Sequence, residues 1–149
     1  MHQEHHRHPF TISTDQKRLD IDAIHAFLSY ESRWARGREK AMIIRSIQRS
    51  LCFGLYDGDA QIGFARAISD YTTYAYLDDV YVLGTYRGRG LGKWLIECVL
   101  VHPELQSITR FGLVTQDQQE FYQELGWAAL KYPDRHMERL LPGYYLKEI

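Results

Sequence analysis

The run Asp79-Val80-Tyr81-Val82-Leu83-Gly84-Thr85-Tyr86-Arg87-Gly88-Arg89-Gly90-Leu91-Gly92-Lys93-Trp94-Leu95 changes character twice within a few residues. A β-branched and aromatic segment enters a glycine-dense, doubly basic turn, which opens directly into an amphipathic segment. This predicts a strand, a loop and a helix N-terminus in succession. Glycines let several backbone N–H groups converge on one point, and the helix dipole favours negative charge there. A phosphate or diphosphate is the natural guest.

Two phosphate loops are excluded by spacing. A P-loop needs Gly, four residues, then Gly-Lys-Ser/Thr; here Trp94 follows Gly92-Lys93, and Arg87 stands where the first glycine belongs. The dinucleotide fingerprint G-x-G-x-x-G, begun at Gly88 and Gly90, puts its third glycine on Lys93. What fits is Arg-x-x-Gly-x-Gly at Arg87, Gly90 and Gly92. In this the chain resembles the GNAT superfamily of N-acetyltransferases, whose acetyl-CoA loop has that form. Val82 stands at the family's usual valine, and Phe121-Tyr122-Gln123-Glu124-Leu125-Gly126-Trp127 is similar to its second signature, an aromatic-Tyr-x-x-x-Gly-aromatic run. The resemblance covers roughly Ile43 to Leu140.

Composition agrees with one soluble globule. The chain has 149 residues, 45% hydrophobic and 25% charged, with a formal net charge of −1. Near-neutrality argues against a general nucleic-acid binder. No apolar run approaches the ~20 residues needed to span a bilayer, and no secretory signal opens the chain. Cys52 and Cys98 form no C-x-x-C and suit reduced core thiols, so the expected setting is cytoplasmic. Residues 1–9, with His2, His5, His6 and His8, are expected to be a solvated, flexible tail with no metal site. A single domain is expected over 10–149.

Along the chain, Phe10–Thr14 suits a short strand, and Asp20 caps a helix with Ile21, Ile24, Phe27 and Leu28 on one face. A basic link from Trp34 leads to a second helix, about Arg38 to Ser50, with Ile43, Ile44, Ile47 and Leu51 inward. Asp57-Gly58-Asp59 between two apolar runs predicts a hairpin. A central strand Tyr74–Val82 precedes the loop, and His102-Pro103 stops the following helix. Arg110–Thr115 is a further strand, Asp117 caps the helix carrying Tyr122, and Trp127–Leu130 and Met137–Leu141 are expected to close the sheet. The fold class is α+β: a mixed, mostly antiparallel sheet flanked by helices, consistent with the GNAT fold. By resemblance, the strands on either side of the loop helix splay to form a cleft.

The resemblance implies acetyl-CoA as co-substrate, without a metal, and transfer of its acetyl group to a primary amine by direct attack in a ternary complex. Loop amides from Arg87 through Gly88, Arg89, Gly90, Leu91 and Gly92 to Lys93 would hold the diphosphate, with Arg87, Arg89 and Lys93 adding charge. Backbone groups of Tyr81 and Val82 would pair with the pantetheine arm, and a strand-end N–H would polarise the thioester carbonyl. Thr115 stands where many relatives carry an arm-contacting asparagine, and Gln118 where an alanine is common. Tyr122 is the expected proton donor to the departing thiolate, a core-packed aromatic being the other reading of it. Asp78 and Asp79 are the candidate bases, expected on opposite sides of their strand; Asp70 is a further cleft residue. Trp34, Tyr30 and Tyr71 are the expected acceptor contacts.

The acceptor, a small molecule or a peptide, is not legible, and Gly143-Tyr144-Tyr145 could support a homodimer. A non-catalytic acyl-CoA-binding sensor would share the loop and differ only at Tyr122. An interaction protein with an empty loop is the other alternative.

Overall fold

The computed structural model describes residues 1–142. The strands β1 (Glu4–Arg7), β2 (Phe10–Ser13), β3 (Leu51–Asp57), β4 (Ala60–Ser69), β5 (Ala75–Val82) and β6 (Phe111–Leu113) form one sheet in chain order. Neighbours are antiparallel except β5 and β6, which run parallel. A parallel pair needs a crossover, and α3 (Leu91–Leu100) supplies it.

Alternation along the strands sends side chains to two cores. On one face Phe27, Leu28, Ile43, Ile47, Phe64 and Tyr81 pack beneath α1 (Ile21–Ala26) and α2 (Lys40–Gln48). On the other, Phe53, Leu55, Ile62, Ala65 and Leu77 pack against Trp94, Leu95 and Val99 of α3. Asp20 caps α1 by accepting from the Ala23 N–H at 3.0 Å, as its sequence position predicts. A π-type turn, Phe27–Glu31, extends α1. The β3–β4 hairpin turns at Gly58, whose φ is 60°. Ile44, expected inward, is 36% exposed.

Three expectations are corrected. The histidine-dense start is not a free tail, because Glu4–Arg7 pairs with β2 from Glu4↔Ser13 to Arg7↔Phe10. Backbone pairing is indifferent to the polar side chains, and Arg7 lies 4.9 Å over the Trp94 ring. Neither Trp127–Leu130 nor Met137–Leu141 forms a strand. Trp127 instead packs edge-on against Phe111 and Tyr122, its Nε1–H donating to the Phe111 carbonyl at 2.7 Å. Asp117 does not cap α4 (Gln119–Glu124); Thr115 Oγ1 accepts the Gln118 N–H there at 3.1 Å. The tyrosines 144 and 145 lie outside the described residues. Among those described, no helix is long and apolar enough to cross a membrane.

Candidate active site

Pairing between β5 and β6 runs only from Ala75↔Phe111 to Leu77↔Leu113. Beyond Leu77, β5 continues to Val82 paired with β4 only, while the chain after Leu113 turns away toward α4. A cavity of about 710 Å³ opens where they part. It is lined by Trp34 and Arg38 from the link before α2, by Asp78, Asp79 and Val80 of β5, and by Thr115, Gln118 and Tyr122 from the chain after β6.

β5 leads into the glycine loop. Gly88 and Gly90 have φ of 81° and 74°, the left-handed region that a β-carbon disfavours, and Gly90 caps α3. The Tyr86 and Arg87 N–H groups bond to the Leu83 and Gly84 carbonyls at 2.9 and 3.2 Å. The Arg87 amide is therefore spent, contrary to expectation. The N–H groups of Leu91, Gly92 and Lys93 open α3 with no carbonyl four residues back inside the helix; the first such bond is Trp94 N–H to Gly90 O, 3.1 Å. Arg89 and Lys93 are exposed. Arg87 Nε–H donates to Val82 O at 3.1 Å, and Arg89 lies 5.2 Å over the Tyr86 ring. The Leu91 side chain anchors the turn in the core. A β-carbon at Gly92 would lie 3.7 Å from the Phe121 ring, an ordinary van der Waals contact, so packing alone does not demand glycine there. Free amides, a helix N-terminus and nearby cations fit a diphosphate.

Tyr81 and Val82 differ in role. Leu83 N–H bonds to Ile62 O at 2.8 Å, and Val82 and Tyr81 register with Gly63 and Phe64. Alternation of hydrogen-bonded pairs then commits the Tyr81 main chain to Phe64 and turns that of Val82 to the open edge. The Tyr81 ring stacks on Phe27 at 3.9 Å, and burial pushes its phenol upward. Of the two, only Val82 has an N–H turned to that open edge of β5.

Asp78 and Asp79 do not separate as simple alternation predicts. Register shifts between Phe64 and Arg66, and Asp79 has φ 54°, a β-bulge at a non-glycine residue. Both carboxylates reach Arg66, whose Nη2 lies 3.0 Å from each. The Asp79 side chain, 1% exposed, also accepts from Trp34 Nε1 at 2.9 Å and Arg38 Nη1 at 2.8 Å. Both oxygens of that carboxylate are thus taken by donors, an anchoring arrangement unlike the open base expected of Asp79. The Asp78 side chain is 27% exposed. Burial, then the charge of Asp79, raises its carboxyl above the ordinary value, against the opposing pull of Arg66.

Tyr122 faces the same cavity, and burial pushes its phenol up to about 12. Among the described residues no hydrogen-bond partner of its hydroxyl is found. The Thr115 hydroxyl is occupied by the Gln118 amide, so the turn uses it. Tyr30 is 72% exposed against His25, away from the cavity lining. Tyr71 lines a separate hollow with His102 and Glu104, so neither meets the expectation of an acceptor contact. Asp70 binds the Thr73 hydroxyl and amide and the Thr72 amide, which hold its carboxyl well below the usual range; it is a turn cap.

Arg66 and the Arg33–Asp117 ion pair, 2.8 Å, were not singled out by sequence reasoning. A lone arginine within the apolar run Ile62–Ile68 was the available signal, because a buried guanidinium requires a carboxylate. Nothing in the sequence marked the second pair. Cys52 and Cys98 are free and buried, and burial pushes their thiols up to about 12 and 11.

The model of the "Acetyltransferase (GNAT) family" matches residues 19–127. The Gibberella zeae protein "Putative acetyltransferase FG08082" is 31% identical over 138 residues, covering 78% of this chain and 77% of that protein. A solved Xanthomonas campestris structure, titled a putative GNAT-family acetyltransferase, is 45% identical with a TM-score of 0.88, covering 91% of this chain and 96% of that one. One from Deinococcus radiodurans shares the fold at 21% identity, with a TM-score of 0.71 and coverage of 98% and 97%. The chain belongs to the GNAT family, and it is an acetyl-CoA-dependent acetyltransferase.

Proposed function

We propose that the chain transfers the acetyl group of acetyl-CoA to a primary amine by direct attack, with both substrates bound together. The observation that carries this is the meeting of Asp78 and Tyr122 in one cleft, Asp78 on the strand that runs on into the glycine loop. The diphosphate would sit on the amides of Gly88 to Lys93, and the acyl end would enter the β5–β6 divergence. The amine nitrogen attacks the carbonyl carbon, forming the C–N bond and moving the C=O pair to oxygen. Val82 N–H is the proposed donor to that oxyanion. Collapse breaks the C–S bond.

Asp78 holds the incoming ammonium and takes its proton, directly or through one water. Its raised affinity for protons makes it a better base than an ordinary carboxylate near 4. Tyr122 stays protonated across the working pH range and donates a hydrogen bond to the departing sulfur. Full transfer from a phenol near 12 to a thiolate whose acid lies near 8.5 is uphill, so stabilising the thiolate is the larger part of its role. The cysteines are buried, protonated and absent from the cavity lining, which favours direct attack over an acetyl-enzyme. Their reduced state suits the cytoplasm. Residues 10–149 are proposed to act as one catalytic domain, with β1 completing its sheet.

Thiol release from acetyl-CoA, measured with a polyamine, an aminoglycoside, free amino acids and a lysine peptide, tests the proposal. Release that depends on one of these amines, with the acetyl group found on its nitrogen, is expected. Saturable acetyl-CoA binding with no turnover on any amine supports the non-catalytic sensor instead.

A further inference from the structure

We propose that Asp79 is a positioning residue: its buried carboxylate fastens Trp34 and Arg38 to the β5 bulge and so builds the acceptor side of the cleft. The inference rests on the proposed amine-acceptor role of that cleft. Residues 32–39 between the π-type turn and α2 contain no regular helix or strand. Backbone bonds within this stretch are local, such as Arg38 N–H to Ala35 O at 3.0 Å and Gly37 N–H to Ser29 O at 3.0 Å. Its side-chain ties to the sheet are Trp34 Nε1–H to Asp79 Oδ1 and Arg38 Nη1–H to Asp79 Oδ2.

Both atoms of the Asp79 carboxylate are thereby used, and Arg66 Nε–H adds a third donor at 3.1 Å from β4. The positive φ of Asp79 belongs to this arrangement. A non-glycine residue persists there only when its surroundings over-determine it, and three donors on one carboxylate do so. With its N–H consumed, Trp34 offers the cleft a fixed ring face, 45% exposed. A ring face that lines the same cavity as the Asp78 carboxylate suits a cation, so this wall recognises the acceptor as an ammonium.

The test uses the full chain with Asp79→Asn and Trp34→Phe, the latter keeping the ring and dropping the donor. Hydrogen exchange of amides 33–38 is expected to quicken about tenfold in both, the scale of a lost charge-assisted bond. Acetyl-CoA affinity should stay within about twofold, since the loop lies elsewhere, while KM for the best amine of the panel rises about tenfold and kcat changes less. Asp78 faces Asp79 along β5, Arg66 from β4 and Arg38 from the link. Loss of the Asp79 charge therefore moves the acid limb of kcat/KM to lower pH in Asp79→Asn and leaves it in place in Trp34→Phe.

Unchanged exchange in both variants overturns the inference. So does an Asp79→Asn enzyme that loses turnover at every pH with acceptor KM unaltered, which makes Asp79 a chemical base. If Asp79→Asn does not fold, exchange and KM in Trp34→Phe decide. If the wild type acetylates no amine of the panel, the functional proposal fails, while the exchange measurement still decides the anchor.

Discussion

Arg66 holds Asp78 and Asp79 in a single grip, with its Nη2 lying 3.0 Å from a carboxylate oxygen of each. One of the two is sealed in by Trp34 and Arg38, and the other keeps an edge toward the cavity. The division of labour between neighbouring acids follows from that difference.

Asp78→Asn is expected to lower turnover by ~10²-fold, at the lower end of general acid–base effects. In the wild type Asp78 acts ionised, and its proton affinity is raised by burial and by Asp79. Activity should therefore fall as pH drops through a value above that of a free aspartate. The asparagine variant should lose that acid limb in a pH–rate profile.

Tyr122→Phe is expected to reduce kcat by ~10²–10³-fold, the scale of one lost donor to a developing anion, with acetyl-CoA affinity little changed. The phenol lies near 12, so it is protonated below that pH and contributes no basic limb between neutrality and pH 10. Rates measured over that span, together with calorimetric binding of acetyl-CoA, check both halves.

Gly90→Ala probes the loop. A β-carbon at Gly90 meets nothing within 4 Å, so the cost comes from its φ of 74° alone. A loss of about 1–2 kcal/mol in stability is expected. Relaxation of the turn should also weaken acetyl-CoA binding about tenfold, since misdirected amides forfeit roughly one charge-assisted hydrogen bond. Thermal unfolding with and without acetyl-CoA separates the two effects.

Arg7→Ala removes the cation over Trp94 and should cost about 0.5–1 kcal/mol. Acetyl-CoA affinity should not change. A variant as stable as the wild type would mean that β1 contributes only its backbone pairing.

The loop was legible because its glycines sit at fixed spacing after a strand, and a left-handed residue before a helix leaves few substitutes. The hairpin at Gly58 was legible for the same reason. Tyr71 lies in the connection between β4 and β5, at the end of β5 away from its divergence from β6, a placement that no local pattern reports. The bulge at Asp79 carries no sequence mark, since its φ belongs to a non-glycine residue held by partners distant in the chain. Pairing of β1 depended on a neighbouring edge rather than on composition. The apolar residues of 127–141 resembled strands, but the Trp127 side chain is spent on Phe111 and Tyr122 instead.

Amide resonances followed by NMR during titration with acetyl-CoA test the account most directly. The largest shifts are predicted at Gly88, Arg89, Gly90, Leu91, Gly92 and Lys93, with Val82 moving as the acyl end enters the cleft. Saturated binding that left those amides unmoved would contradict it.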